Sequence, residues 1–161
     1  MSSIPTNLVD MLTRKAKYGL RAMCSLATSE QPWLQANAIA ARANVPTKFL
    51  EAILVDLRRA GFVSSRRGQL GGHALAKPAA EIMVGDLIRA IDGPLAPVRC
   101  ASMTSFAPCA DCADPEDCAV RELMRETRAA LSGVLDHCSL QTLTHRSSHE
   151  PWLQSRVGGT R

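Results

Sequence analysis

The sequence predicts a mainly α-helical fold with a small β-hairpin wing: a winged helix-turn-helix followed by a long C-terminal dimerisation helix. Three observations predict it. Two helix-period segments meet at Asn44-Val45-Pro46. Two short strand-like runs flank Arg67-Gly68-Gln69-Leu70-Gly71-Gly72. A stripe of apolar residues then alternates by four and three from Val120 to Cys138. At 161 residues, with 46% hydrophobic and 21% charged residues, the chain has room for one compact domain and an appendage. Aromatics are only 4%, so the core must be built from Leu, Ala, Val, Ile and Met.

The first helix is expected over about residues 8–28, where Leu12, Ala16, Leu20, Met23 and Ala27 recur at helical spacing. Arg14, Lys17 and Arg21 fall on another of its faces. Ala36 to Ala43 is a short Ala-rich helix, and Asn44 after it tolerates the left-handed conformation of a tight turn. Pro46 suits the first turn of the next helix, which Gly61 ends. In that helix Leu50, Ile53, Leu54 and Leu57 form the buried stripe; Lys48, Ala52, Val55 and Arg59 oppose it, with Thr47 and Glu51 beside them. An ordinary helical hairpin would share this pattern. The residues after Gly61 favour a reader of duplex DNA. Strands over Phe62–Arg66 and His73–Lys77 frame a Gly-rich tip bearing Arg66 and Arg67, where an arginine meets the negative potential of a narrow minor groove.

Val84 to Asp92 is a short helix stopped by Gly93-Pro94, and Pro97 to Cys112 has no period and reads as loop. Asp114-Pro115 supplies a cap and a first position for the last helix, which is expected to run to about His137. Its stripe is Val120, Met124, Thr127, Leu131, Val134 and Cys138. The stripe can dock on its own domain or pair with a second copy. Pairing is preferred, because DNA readers commonly act on two half-sites. The chain from Thr144 onward is polar and Gly-rich and reads as a tail. The expected division is thus a winged helix-turn-helix over 8–93, a cysteine-rich loop over 94–114, a dimerisation helix over 115–143 and a tail over 144–161.

Charge sharpens the expected partner. Residues 1–80 carry eleven Lys or Arg against four Asp or Glu, while residues 81–161 carry eight against eleven. The basic half points to a polyanion or to a solvated basic face. Read as a DNA surface, Thr47, Lys48 and Glu51 reach base edges, Lys15 and Lys17 meet phosphates, and Arg66 and Arg67 meet the minor groove. The expected partners are double-stranded DNA, as a palindromic operator, and a second copy of the chain, with no membrane. No run approaches the roughly 18 apolar residues of a span, and residues 1–10 lack a signal-peptide pattern, so a cytoplasmic protein is expected. No P-loop and no partnered nucleophile is present, so an enzyme has no residues to carry it. His73, His137, His145 and His149 lack ligand spacing and are expected at the surface or in the tail.

Six cysteines are many for this length. Cys24 and Cys138 sit in apolar helical patterns as packed core thiols, whereas Cys100, Cys109, Cys112 and Cys118 fall within 19 positions. Such a cluster, without an export signal, reads as metal or redox chemistry before disulfides. Three states remain open on the residues: an iron–sulfur cluster (2Fe-2S or 4Fe-4S), zinc, and a metal-free thiol switch.

Several stretches resemble the Rrf-two family of winged-helix regulators. They are Leu12–Ala22, Ile39-Ala40, Phe49-Leu50-Glu51, Ala60–Val63, Arg67-Gly68 with Gly71-Gly72, and Ile91–Pro94, a match over roughly residues 11–143. The resemblance implies a homodimeric transcription factor, with a recognition helix in the major groove and the wing on the minor groove. It also implies iron–sulfur ligation by Cys100, Cys112 and Cys118. Two departures stand out. Where an IscR-like branch supplies a histidine ligand this chain has Arg121, and where an NsrR-like branch supplies a carboxylate it has Lys17. Cys109 is the simplest replacement as fourth ligand.

Overall fold

The computed structural model describes residues 11–149, with side chains to residue 146. Helix α1 (Arg14–Ala27) starts later than its periodicity suggests, because Thr13 caps it: the hydroxyl accepts from the Ala16 N–H at 3.1 Å. Thr13 is itself held by Asp92, whose carboxylate accepts both its backbone N–H and its hydroxyl. Residues 8–10, included in the expected helix, lie outside the described residues. Helix α2 (Ala36–Ala43) ends at Asn44, which adopts φ 51°, and α3 (Thr47–Arg59) begins after Pro46. The expected turn is therefore present. A side chain that supports the left-handed conformation sits at the one position that requires it.

Strands β1 (Val63–Arg66) and β2 (Gly72–Leu75) pair antiparallel, Val63 opposite Leu75 and Arg66 opposite Gly72. The pairing extends beyond the expected hairpin, since Leu34 and His73 exchange backbone hydrogen bonds of 2.9 and 2.8 Å. Gly72, at φ +141°, is where the wing passes the Leu34 carbonyl, and a Cβ there would overlap it. The core gathers Met23, Ile39, Leu50, Ile53, Leu57, Ile82, Leu87 and Leu140, all fully buried, under α1, α2 and α3.

Helix α4 (Val84–Asp92) ends at Gly93 as expected. Beyond it three expectations change. The segment read as structureless contains a 3-10 turn at Arg99–Ala101 that buries Cys100 and Ala101. Helix α5 (Ala119–Leu135) begins four residues later than the helix start predicted at Pro115. Asp114 spends its carboxylate on the Glu116 N–H at 2.8 Å, which makes 115–117 a turn, and Cys118 becomes the helix cap. Finally, residues 144–149 are not tail. They belong to α6 (Leu140–His149), because Leu140 is fully buried and its N–H donates to the Ile82 carbonyl at 2.7 Å. The segment expected as one dimerisation helix over 115–143 is thus two helices. Residues 150–161, the rest of the expected tail, lie outside the described residues. No helix of the described residues is long and apolar enough to cross a membrane.

Candidate nucleic-acid interface and cysteine loop

Helix α3 turns Leu50, Ile53, Leu54 and Leu57 to the core. The 100° step of the helix then places Lys48, Ala52, Val55 and Arg59 on the opposite side. Thr47, Lys48 and Glu51 are all exposed on the leading turns of this face. Arg66 and Arg67 are exposed at the wing, next to Leu70, which is 83% exposed at the tip and which sequence reasoning did not single out. Helix α3 and the wing tip together present cationic and hydrogen-bonding side chains without a competing core role.

The two lysines of α1 part company. Lys15 Nζ pairs with Asp56 of α3 at 2.6 Å, and this hydrogen bond holds the Asp56 carboxyl below its usual range. Lys17 lies two residues on, about 200° around the helix, and lines a groove with Arg21, Arg42 and Cys24. The structure therefore does not place Lys15 and Lys17 on one face.

The four clustered cysteines occupy one loop between α4 and α5. Cys100 is buried in the 3-10 turn, Cys112 and Cys118 are half-buried and Cys109 is exposed; all are free thiols. Cys109 Sγ lies 3.9 Å from Cys100 Sγ. Two thiolates on one tetrahedral metal at about 2.3 Å would stand about 3.8 Å apart. The hydrogen bond to Cys100 raises the Cys109 thiol above its ordinary range. Cys112 is raised by desolvation first, then by Cys118. Cys100 thus opposes ionisation of Cys109, and Cys118 that of Cys112, the electrostatic situation that a bound cation reverses. Among the described residues no three Cys, His, Asp or Glu side chains are closed into a metal cage.

Arg121 organises this loop. Its Nε donates to the Cys100 carbonyl at 3.0 Å, and one terminal nitrogen donates to the Pro115 carbonyl at 2.9 Å and the Glu116 carboxylate at 2.7 Å. The guanidinium lies over the Phe106 ring, 5.4 Å from its centroid, and the Arg121 backbone N–H donates to Cys118 Sγ. Arg128 adds a bond to the Ala101 carbonyl at 2.9 Å. Sequence reading noted Arg121 only for the ligand it displaces. Its role as a tie between both ends of the loop depends on contacts across 21 positions, which no local pattern reveals.

Of the remaining expectations, Cys24 packs half-buried against the core and Cys138 is buried beside Val84 and Ile88. His137 and His145 are exposed, but His73 is half-buried on wing strand β2, a correction explained by its backbone pairing with Leu34. The side chain of His149 lies outside the described residues. The apolar stripe of α5 also divides. Val120 and Val134 are 65% and 62% exposed, whereas Leu131 lines a groove with Leu12, Ile88, Leu95 and Leu135, and Cys138 is in the core. Leu123, 57% exposed, joins the outer stripe instead.

Comparison with known proteins agrees with this geometry. The family model described as Rrf2, iron-dependent transcriptional regulator, matches residues 12–146. An rrf2-like HTH-type transcriptional regulator of Rhodobacter capsulatus is 39% identical over 137 residues, covering 83% of this chain and 91% of that protein. The regulator CymR of Bacillus subtilis is 33% identical over 141 residues, 86% and 93% of the two chains. The solved structure of CymR, described as the global cysteine regulator of that organism, matches with TM-score 0.67 at 32% identity, covering 91% of this chain and 98% of CymR. An IscR from T. potens matches with TM-score 0.66 at 25% identity, covering 92% and 93%.

Proposed function

The chain belongs to the Rrf2 family of winged-helix transcriptional regulators, and on that basis we propose that it is a homodimeric, sequence-specific repressor whose cysteine loop senses iron–sulfur or redox status. It works in the cytoplasm on a palindromic operator, each protomer laying α3 in the major groove and the wing on the minor groove. Thr47, Lys48 and Glu51 read bases, and Arg66 and Arg67 enter the minor groove; Lys15, held by Asp56, and Lys17, on another side of α1, are left out of this surface. Dimerisation uses the outer stripe of α5.

The observation that carries the sensing reading is the gathering of Cys100, Cys109, Cys112 and Cys118 in one loop tied by Arg121, with two sulfurs at 3.9 Å. The donor chemistry fits a soft iron–sulfur centre, which Cys100, Cys112 and Cys118 would hold with Cys109 as fourth ligand. When bound, such a group supplies a centre that oxidants or nitric oxide modify. The chain's own part is to hold the thiols together and to transmit loop release to α5, whose cap is Cys118.

The test is the absorption spectrum of anaerobically purified protein, with iron and sulfide counted per chain. Visible absorbance with stoichiometric iron and sulfide, lost on replacing Cys100, Cys112 or Cys118 by Ser, is the expected outcome. A colourless protein with stoichiometric zinc rejects the cluster and favours zinc. The close Cys100–Cys109 pair also favours a second reading, a metal-free switch in which two thiols and one hydrogen peroxide give a disulfide and two waters. A metal-free preparation whose DNA binding still responds to peroxide selects that reading.

A further inference from the structure

A cleft of about 240 Å³ separates α3 from the wing, lined by Ala36, Glu51, Leu54, Val55, Arg58, Ser65 and His73. We propose that this cleft grips a phosphate of the DNA backbone through Arg58, Ser65 and His73. The proposal rests on the reading of α3 and the wing as a DNA reader. With α3 in the major groove and the wing in the neighbouring minor groove, the sugar–phosphate strand dividing the two grooves must cross between them. The groups waiting there are suited to an anion.

Arg58 is exposed on the last turn of α3 and forms no ion pair among the described residues, in contrast to Lys15, which Asp56 neutralises. His73 is held on both sides of its backbone by Leu34, and its Nδ1 shares a 2.9 Å hydrogen bond with Ser65 Oγ across the β1–β2 register. The imidazole is therefore oriented before any ligand arrives. The carboxylate of the cleft, Glu51, lies seven residues before Arg58, about 10 Å along the helix axis, near the base-reading turn. The cleft thus has a cationic end and an acidic end.

The charged groups facing His73 are Arg58 and Glu51 from α3; β1 offers the uncharged Ser65, and the segment before α2 offers the Leu34 backbone. Burial and then Arg58 hold the imidazole below its ordinary range, so it is neutral in the free protein at pH 7. A phosphate seated beside it favours the imidazolium, so binding takes up a proton and affinity rises as pH falls.

The experiment is a fluorescence titration of the full chain with random-sequence duplexes of different composition, between about 50 and 200 mM salt. Arg58→Ala should weaken every duplex alike and make the slope of log K against log salt shallower by about 0.9, while Arg58→Lys restores it. His73→Gln should flatten the rise in affinity that the unsubstituted protein shows on acidification from neutral pH. If Arg58→Ala leaves affinity and slope unchanged, the clamp is wrong while the DNA reader stands. If its loss is confined to one sequence, Arg58 reads a base and the clamp is again wrong. If the unsubstituted protein binds no duplex at low salt, the reader itself fails and the clamp with it.

Discussion

Cys118 carries two roles on one sulfur atom, since it caps α5 by accepting the Arg121 N–H at 3.5 Å and is also a candidate ligand. Serine separates the roles, because a hydroxyl is a good cap and a poor soft-metal donor. Both Cys118→Ser and Cys118→Ala should lose any visible chromophore, whereas in the metal-free protein Cys118→Ser should keep the melting temperature and Cys118→Ala should lose about 1 kcal/mol of stability. Equal melting temperatures for the two variants would remove the capping role. Arg121 offers a second residue-scale test. Its guanidinium satisfies two carbonyls and a carboxylate in a half-buried setting, so Arg121→Ala should release the loop and increase hydrogen exchange of the amides at 101–117. On α3, Lys48→Ala or Glu51→Ala should change preference between operator variants by about 1–3 kcal/mol, measured by competitive binding.

At the scale of elements, α5 has an outer apolar stripe and an inner one, and the inner side is where the chain meets its own domain. Leu123→Glu with Val134→Glu places charges on the outer stripe only, so light scattering should report monomers that remain folded. A stable dimer from this double variant would place the interface elsewhere. The end of α5 is tied to α4 by a bidentate pair, Arg89 to Asp136, at 2.7 and 2.8 Å. The Arg89 hydrogen bond holds the Asp136 carboxyl below its usual range. A carboxylate lowered in the folded state stabilises above its unfolded pKa of about 3.9 and loses that contribution as pH falls through the lower folded value. Both side chains are about one-third exposed, so solvent screening limits the pair to about 1 kcal/mol. Asp136→Asn should therefore destabilise at neutral pH and differ little from the unsubstituted protein in strong acid, as read by urea unfolding. Gly85 lies beneath this carboxylate, and a Cβ there would meet its oxygen, so Gly85→Ala should mimic Asp136→Asn.

Over the whole molecule, α6 closes the reader domain rather than trailing from it. Leu140 has no exposed surface and shares its core with Met23, Ile39 and Leu50, which come from three other helices. Leu140→Ala should cost about 2–5 kcal/mol, as for other buried leucines, and lower the melting temperature of the entire winged domain. A change confined to the C-terminal amides in hydrogen exchange would show instead that α6 is a separate unit.

Elements encoded locally were legible from the chain alone. Asn44 and Pro46 mark the turn between α2 and α3, the Leu50–Leu57 stripe marks the buried side of α3, and Gly68 with Gly71-Gly72 marks the wing. The clustering of four cysteines and the cationic face of α3 were likewise legible, because each is a matter of spacing along one loop or helix. Long-range packing settled the rest. Asp114 reads as a cap by residue type, yet the Asp114–Glu116 turn uses its carboxylate first and passes the cap to Cys118. Leu140 sits in a polar stretch with no periodic warning, and only burial in a core shared with Met23, Ile39 and Leu50, 90 to 117 positions earlier, makes its helix part of the core. Arg121 and His73 gain their roles from partners 21 and 39 residues away. Periodicity reports which side of an element is apolar, whereas which partner covers that side is set by packing between distant segments.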